Sequence, residues 1–318
     1  EIVDWSGDME DEDLIEREDM VVTVTSGGYI KRTPLADFRA QKRGGKGLSG
    51  MQTKEEDVVT NLFVANTHTQ LLFFTTDGMV YKLKTWRLPQ GARTAKGKAI
   101  VNILPIPTGV SIAAIMPVDR DEKDWDDLQV IFATSAGTVR RNKLSDFTNV
   151  KSNGKIAMKF EGEHEGTTLI NARIASNDDD VMLVTDAGRA IRFPATDVRV
   201  FNSRNSVGVR GIRLGEGDNL VSMSVIRHFE ASSEERVAYL KQRRLMAGLT
   251  DDDSSDDEEE QVQAGQLSTE RYAEMSAAED LILTITAKGA GKVSSAHDYP
   301  VRGRGGMGVT AWTKAMAH

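Results

Sequence analysis

Seven consecutive residues, Gln41, Lys42, Arg43, Gly44, Gly45, Lys46 and Gly47, put three cations and three glycines into one loop. Glycine has no Cβ, so the backbone can turn through φ > 0 and approach a large partner closely, while Lys and Arg supply the charge that phosphate oxygens attract. A loop of this make-up suits a polyanion. The same ingredients recur along the chain. A turn glycine is followed three or four residues later by a cation: Gly28 by Lys31 and Arg32, Gly78 by Lys82, Gly137 by Arg140 and Arg141, Gly188 by Arg192, and Gly289 by Lys292. A second glycine follows the first by 19, 19, 17, 20 and 19 residues, at Gly47, Gly97, Gly154, Gly208 and Gly308. Around it gather Arg43, Lys46, Arg93, Lys96, Lys98, Lys151, Lys155, Arg204, Arg302 and Arg304.

Other chemistries fit these residues poorly. By letter, Gly45-x-Gly47-x-x-Gly50 and Gly303-x-Gly305-x-x-Gly308 match a dinucleotide fingerprint, which needs a strand before it and a helix after it. Cations interrupt both copies, and Val309-Thr310-Ala311-Trp312 reads as extended. A phosphate-gripping Walker loop fails because Gly45-Lys46 is followed by Gly47 and not by Ser or Thr. The histidines, His68, His164, His228, His297 and His318, lack metal-ligand spacing, and no Ser-His-Asp or paired-carboxylate arrangement recurs with a loop to hold it. Tyr29, Tyr81 and Tyr299 fall in or beside strand segments, as packing residues. The expectation is no catalytic site, no metal and no cofactor in this part of the protein.

The elements that position the cations follow from a repeat of about fifty residues. Apolar runs precede each turn glycine: Val21 to Thr25, Leu71 to Thr75, Val130 to Thr134, Val181 to Thr185, and Leu281 to Ile285. β-Branched and aromatic residues bounded by Thr-Asp-Gly or Ser-Ala-Gly signals predict β-hairpins. After the second glycine a further apolar stretch is expected to close each unit, as in Ala99 to Leu104, Ile156 to Phe160 and Val209 to Leu214. A fourth segment leads onward, as in Leu62 to Ala65 and Leu220 to Val225. Four short strands per repeat predict an all-β, propeller-like ring of antiparallel blades, at about 20–66, 67–118, 127–176, 179–228 and 280–318.

The chain's net charge of −8 conceals a basic body. Residues 1–19 hold ten acidic residues against Arg17 alone, and residues 229–280 hold fifteen acidic and five basic ones; without both segments the remainder carries +11. Residues 1–19 read as an acidic linker leading into a domain at 20–318. Residues 229–280 read as an insertion between the fourth and fifth blades. In it, Glu234 to Leu249 has helical spacing, Asp251 to Glu260 is almost pure acid, and Ser268 is placed to cap a second short helix. Zero cysteines rule out disulfides and point to a reducing compartment. No apolar run has the length of a membrane span, so the expectation is a soluble, cytoplasmic chain with no membrane partner.

The heptapeptide Gln41 to Gly47 resembles, at every position, the signature box of the DNA gyrase A-subunit family, and the likeness extends over nearly the whole chain to that family's C-terminal DNA-wrapping domain. The resemblance implies a β-pinwheel, usually of six blades with strands exchanged between neighbours; five repeats are counted here and a sixth is expected. It implies that the domain binds, bends and chirally wraps duplex DNA. The catalytic N-terminal part of the same subunit, with an ATPase B subunit in an A2B2 complex, would then introduce negative supercoils. The box would fasten one end of the wrap. DNA carries one charge per roughly 1.7 Å of duplex, so Lys31, Arg32, Lys82, Arg140, Arg141, Arg192 and Lys292, with the cations near the second glycine, are expected along one rim. No recognition helix is evident, so they would read backbone and shape. Two alternatives stand beside this: the C-terminal domain of the topoisomerase IV A-type subunit, often five-bladed with a degraded box, and a propeller that serves as a protein-interaction scaffold.

Overall fold

A computed structural model describes residues 11–38, 51, 57–248 and 265–311. The box Gln41 to Gly47 and the acidic tract Asp251 to Glu260 lie outside the described residues.

Every hairpin turns at Thr-x-x-Gly. Gly28, Gly78, Gly137, Gly188 and Gly289 have φ between 78° and 85°, a region that costs a side-chain-bearing residue about 1–2 kcal/mol. Each donates its N–H to the carbonyl of the threonine three residues earlier, at 2.9–3.0 Å. The first repeat forms β1 (Asp19–Thr25), β2 (Tyr29–Pro34) and β3 (Val59–Asn66). The second forms β4 (Gln70–Thr75), β5 (Met79–Lys84), β6 (Lys98–Ala99) and β7 (Ile112–Val118). The third forms β8 (Gln129–Thr134), β9 (Thr138–Lys143), β10 (Lys155–Ile156) and β11 (Leu169–Ala175). The fourth forms β12 (Asp179–Thr185), β13 (Arg189–Pro194), β14 (Val209–Arg210) and β15 (Leu220–Arg227). Two helices follow, α1 (Ser233–Met246) and α2 (Thr269–Ala277), and then β16 (Leu281–Ile285), β17 (Gly291–Ser295) and β18 (Val309–Thr310).

The sheets do not coincide with the repeats. Their orders are β3-β1-β2-β6, β10-β5-β4-β7, β11-β8-β9-β14 and β15-β12-β13-β18, with β16-β17 as a two-stranded fifth. Each four-stranded sheet therefore takes its last strand from the following repeat. The stretch after the second glycine, expected to close its own unit, instead contributes two residues to the preceding sheet, as in Tyr29↔Ala99 and Ile30↔Lys98. The second glycine makes this approach possible. A Cβ on Gly97 would lie 2.5 Å from the Ile30 carbonyl oxygen, and one on Gly208 2.0 Å from that of Val139.

Two compact units divide the chain. The first is built from residues up to Leu128 with 142–172 and 202–206. Its core packs Val22, Val24 and Ile30 of the first repeat with Leu71, Phe73 and Ile100 of the second. The second unit is built from 129–141, 173–201 and from Val207 onward. Its core joins Ile131 and Val139 of the third repeat to Val181, Leu183, Ile191 and Phe193 of the fourth. In the first four repeats the strands that open the hairpins are buried on both faces, β4 completely, so they read as continuous apolar runs and not as alternating ones. In the fifth sheet Leu283 and Ile285 are each 63% exposed, whereas Val22 and Val24, at the same distances from their turn glycine, are 0% and 2% exposed.

The insertion helices are capped by serines. Ser232 Oγ accepts from Glu235 N–H while Glu235 accepts from Ser232 N–H, a reciprocal capping box, and Ser268 Oγ accepts from Arg271 N–H. Tyr239 of α1 packs its ring 5.0 Å from Tyr272 of α2 and 5.1 Å from His297. The buried His297 ring donates through Nε2 to the Met275 carbonyl at 2.9 Å.

Candidate nucleic-acid interface

The cations on the second hairpin strand are not where a rim requires them. Lys31, Arg140, Arg141 and Arg192 are buried, at 0%, 0%, 6% and 3% exposure. The expectation that they meet phosphate is corrected: an interior charge must find its partners within the protein, and hydrogen bonds hold Lys31, Arg141 and Arg192 there. Lys31 Nζ donates to the Ala92 and Arg93 carbonyls at 3.0 and 2.5 Å, and burial with the nearby Arg93 charge pushes its pKa down. Half-buried Arg32 donates through Nε to the Leu88 carbonyl at 2.9 Å, and its own backbone N–H and C=O bond Pro89 and Gly91. Arg141 Nη1 donates to Asn177 at 3.0 Å, and Arg140 lies with its guanidinium 5.0 Å from the Phe132 ring centroid.

Arg192 is the most fully held. Its Nε donates to Asp180 at 2.7 Å, Nη1 to the Ala296 carbonyl at 2.7 Å, and Nη2 to the Arg227 carbonyl at 3.1 Å. The second Asp180 oxygen bonds His228 Nδ1 at 2.7 Å. Lys82 is half-buried and bridges Glu122, at 2.5 Å, and the Thr148 carbonyl. Lys31, Arg32, Lys82 and Arg192 clamp the segment that arrives from the next repeat. They are structural cations.

The loops around the second glycine present the charge. Lys98, Lys151, Arg302 and Arg304 are exposed, and Arg93, Lys96, Lys155, Arg204 and Lys292 are partly so. Successive loops are stitched together through backbone and side chain. In the first unit Lys159 N–H donates to Asn205 O at 3.2 Å, and Arg204 Nη1 to Ile156 O at 2.6 Å. In the second, Gly305 N–H donates to Gly211 O at 2.6 Å and Arg213 N–H to Gly306 O at 2.8 Å. Arg304 spends Nε on the Asp197 carbonyl and Nη1 on that of Arg210, both at 3.0 Å; guanidinium has five donors, so this fixes the side chain without exhausting it. Lys96 Nζ rests 4.1 Å from the Tyr29 ring centroid. The Lys155 pKa is pushed down by burial first and then by the Arg204 and Lys82 charges, a crowding of like charge that a bound anion would relieve.

Sequence reasoning missed Arg210 and Arg213, exposed in the loop bonded to Arg304 and Gly306. Their alternation after Gly208 was the available signal. It also missed Arg199, stacked 3.9 Å from the Phe201 ring centroid. The seven box residues are not among the described ones. No group of three or more His, Asp or Glu able to hold a metal ion occurs among the described residues, and no described helix is long and apolar enough to cross a membrane.

Repeated antiparallel blades that borrow a strand from the next repeat, with cations in the loops at the exchange, define a strand-exchanged β-propeller with basic loops. The chain belongs to the family described as the DNA gyrase C-terminal domain, beta-propeller, whose model matches residues 19–66, 69–119, 129–167, 179–227 and 280–311. The DNA gyrase A protein of Granulibacter bethesdensis is 47% identical over 320 residues, covering 97% of this chain and 34% of that protein. Its counterpart from Rickettsia bellii is 45% identical over 305 residues, covering 95% and 33%. The chain thus spans about a third of the length of these relatives. Among solved structures, a DNA gyrase A C-terminal domain matches with a TM-score of 0.52 at 22% identity, over 92% of this chain and 94% of that one. The C-terminal domain of a DNA topoisomerase IV matches with a TM-score of 0.61 at 21% identity, over 93% and 73%. Both share the fold.

Proposed function

We propose that this chain binds and bends duplex DNA against its second-glycine loops, as the wrapping domain of a gyrase A protein. One observation carries the reading: exposed cations of the third, fourth and fifth repeats sit on loops hydrogen-bonded to a neighbouring loop, and so do not hang on independent flexible turns. Bending a duplex costs of order several kcal/mol, which many phosphate contacts must repay. Loops that add cations with every repeat supply such contacts, and contacts to phosphate alone make the binding indifferent to base sequence.

By its family the wrapped segment passes to the catalytic N-terminal part of the same subunit, working with the ATPase B subunit in an A2B2 complex in the bacterial cytoplasm, so that strand passage introduces negative supercoils. This domain supplies no catalytic group and needs no cofactor. The relatives named above favour the gyrase over the topoisomerase IV reading. Gln41 to Gly47 are proposed to fasten one end of the wrap.

The deciding experiment ligates a nicked circle with the domain bound and resolves the topoisomers. A handed shift in linking number is expected. Binding that leaves no writhe and hardly varies with salt would instead mark a protein-interaction scaffold, because phosphate contacts make affinity fall steeply with salt. Replacing Lys42, Arg43 and Lys46 with alanine is expected to leave binding measurable and to lengthen the DNA end-to-end distance in an energy-transfer assay.

A further inference from the structure

The family match stops at residue 227 and resumes at 280, so the intervening helices belong to no part of the recognised repeat. Taken whole, the insertion is strongly acidic, yet α1 by itself carries four cations, Arg236, Lys241, Arg243 and Arg244, against Glu234 and Glu235. Helix α1 starts with Glu234 and Glu235 and ends with Arg243 and Arg244. Arg236 of α1 donates through Nη1 to the His297 carbonyl at 3.0 Å, which fixes α1 against the short turn Ala296–Asp298 of the fifth repeat. Arg302 reaches the same neighbourhood: its N–H donates to the Arg192 carbonyl, and the Arg192 side chain bonds Ala296 O of that turn.

The consequence is a crowd of cations around one carboxylate. Arg236, Arg243, Arg244 and Lys292 all lie close enough to act on Asp298, and Arg302 and Arg192 close enough to act on Arg236. The acids that answer them are few. Glu279 pairs with Arg243 at 3.2 Å, Asp180 neutralises Arg192 at 2.7 Å, and Glu235 is taken by Arg271 at 2.8 Å. Arg236, Arg243, Arg244 and Lys292 thus surround Asp298, with Glu279 on Arg243 and Arg302 beside Arg236. Packing α1 accounts for Arg236 and Arg243. It does not account for Arg244 and Arg302, which are exposed and whose side chains make no hydrogen bond or ion pair among the described residues. Like charges held this close repel, and a polyanion laid across them removes the cost.

We infer that α1 and the fifth repeat together form an additional phosphate-binding surface, on which the insertion extends the duplex contact past Arg302 and Arg304 onto Arg244. The inference rests on the DNA-binding reading above and adds to it a surface the family repeat lacks.

The test compares this chain with Arg244→Gln and, separately, with Arg244→Glu, both of which leave the Arg243–Glu279 pair in place. Circular dichroism checks that both remain folded. Affinity for a linear duplex long enough to pass all five repeats is measured against salt, with hydroxyl-radical footprinting on the same complexes. Each phosphate contact contributes about 0.9 to the slope of log affinity against log salt, so Arg244→Gln is expected to lower the slope by about 0.9 and to lose protection at one end of the footprint. Arg244→Glu is expected to lose the same end of the footprint. An unchanged slope and footprint in both variants, with the unaltered chain still binding, overturns the inference and leaves the loop surface standing. Failure of the unaltered chain to bind duplex at low salt overturns both.

Discussion

Asp180→Ala is the perturbation that best separates a structural cation from a DNA contact. The Asp180 carboxylate is fully buried and accepts two charge-assisted bonds of 2.7 Å, from Arg192 and from His228. Without it, the Arg192 guanidinium keeps only the Ala296 and Arg227 carbonyls in an interior where its side chain is 2% exposed. Removing one partner of a buried pair costs about 3–5 kcal/mol, because the remaining charge stays desolvated and unmatched. For a unit of roughly 150–250 residues each 1 kcal/mol lowers Tm by about 2–4 °C, so a drop of about 6–20 °C is expected by calorimetry. The companion measurement is duplex affinity against salt for Arg192→Gln, at a temperature where it remains folded. A clamp residue leaves the salt slope unchanged; a phosphate-binding residue lowers it by about 0.9. A loss below about 1 kcal/mol for Asp180→Ala, or a lower slope for Arg192→Gln, would refute the assignment of these arginines to the interior framework.

Three further outcomes are expected. Replacing Lys98, Lys151 and Arg302 together with glutamine should leave Tm unchanged and reduce the salt slope of duplex binding by about 0.9 for each phosphate no longer neutralised, read by fluorescence anisotropy. Gly208→Ala, at φ +92° with a Cβ placed 2.0 Å from the Val139 oxygen, should open the β9–β14 pairing and speed amide exchange there; Gly109→Ala, at φ +84° with nothing within 4 Å, bears only the backbone strain of about 1–3 kcal/mol. The His228 pKa is lowered by burial but raised further by the Glu230 and Asp180 carboxylates, for a net rise above 6.5. Its stabilising contribution is therefore complete below 6.5 and lost as pH climbs through the raised value, so the urea midpoint should fall over that window in the unaltered chain and stay level in His228→Gln.

The features legible in the amino-acid order are those decided by neighbours along the chain. Thr25 and Gly28, and their four counterparts, specify the hairpin because one left-handed glycine and one carbonyl three residues back complete the turn. Ser268 specifies the start of α2 because a cap needs only the N–H three residues on. Ser232 does the same for α1, although apolar periodicity alone starts that helix at Glu234; the reciprocal bond from Glu235 is the signal that periodicity overlooks.

The fate of the cations was not legible. Lys31 and Arg32, like Arg140 and Arg141, are adjacent on a strand and so point to opposite faces, and the expectation of one exposed rim treated both as outward. Tertiary structure decides otherwise, because the strand that carries them is internal to its sheet, flanked by a hairpin partner and by a strand donated about seventy residues later. Which charge is clamped and which is offered depends on where a distant loop lies down, and a local pattern holds no record of that. The chain by itself determined how many hairpins there are and where each one turns. Only the exchange of strands between repeats, made possible where glycine lets two backbones touch, decided that Lys98, Lys151, Arg302 and Arg304 face solvent while Lys31 and Arg192 hold the blades together.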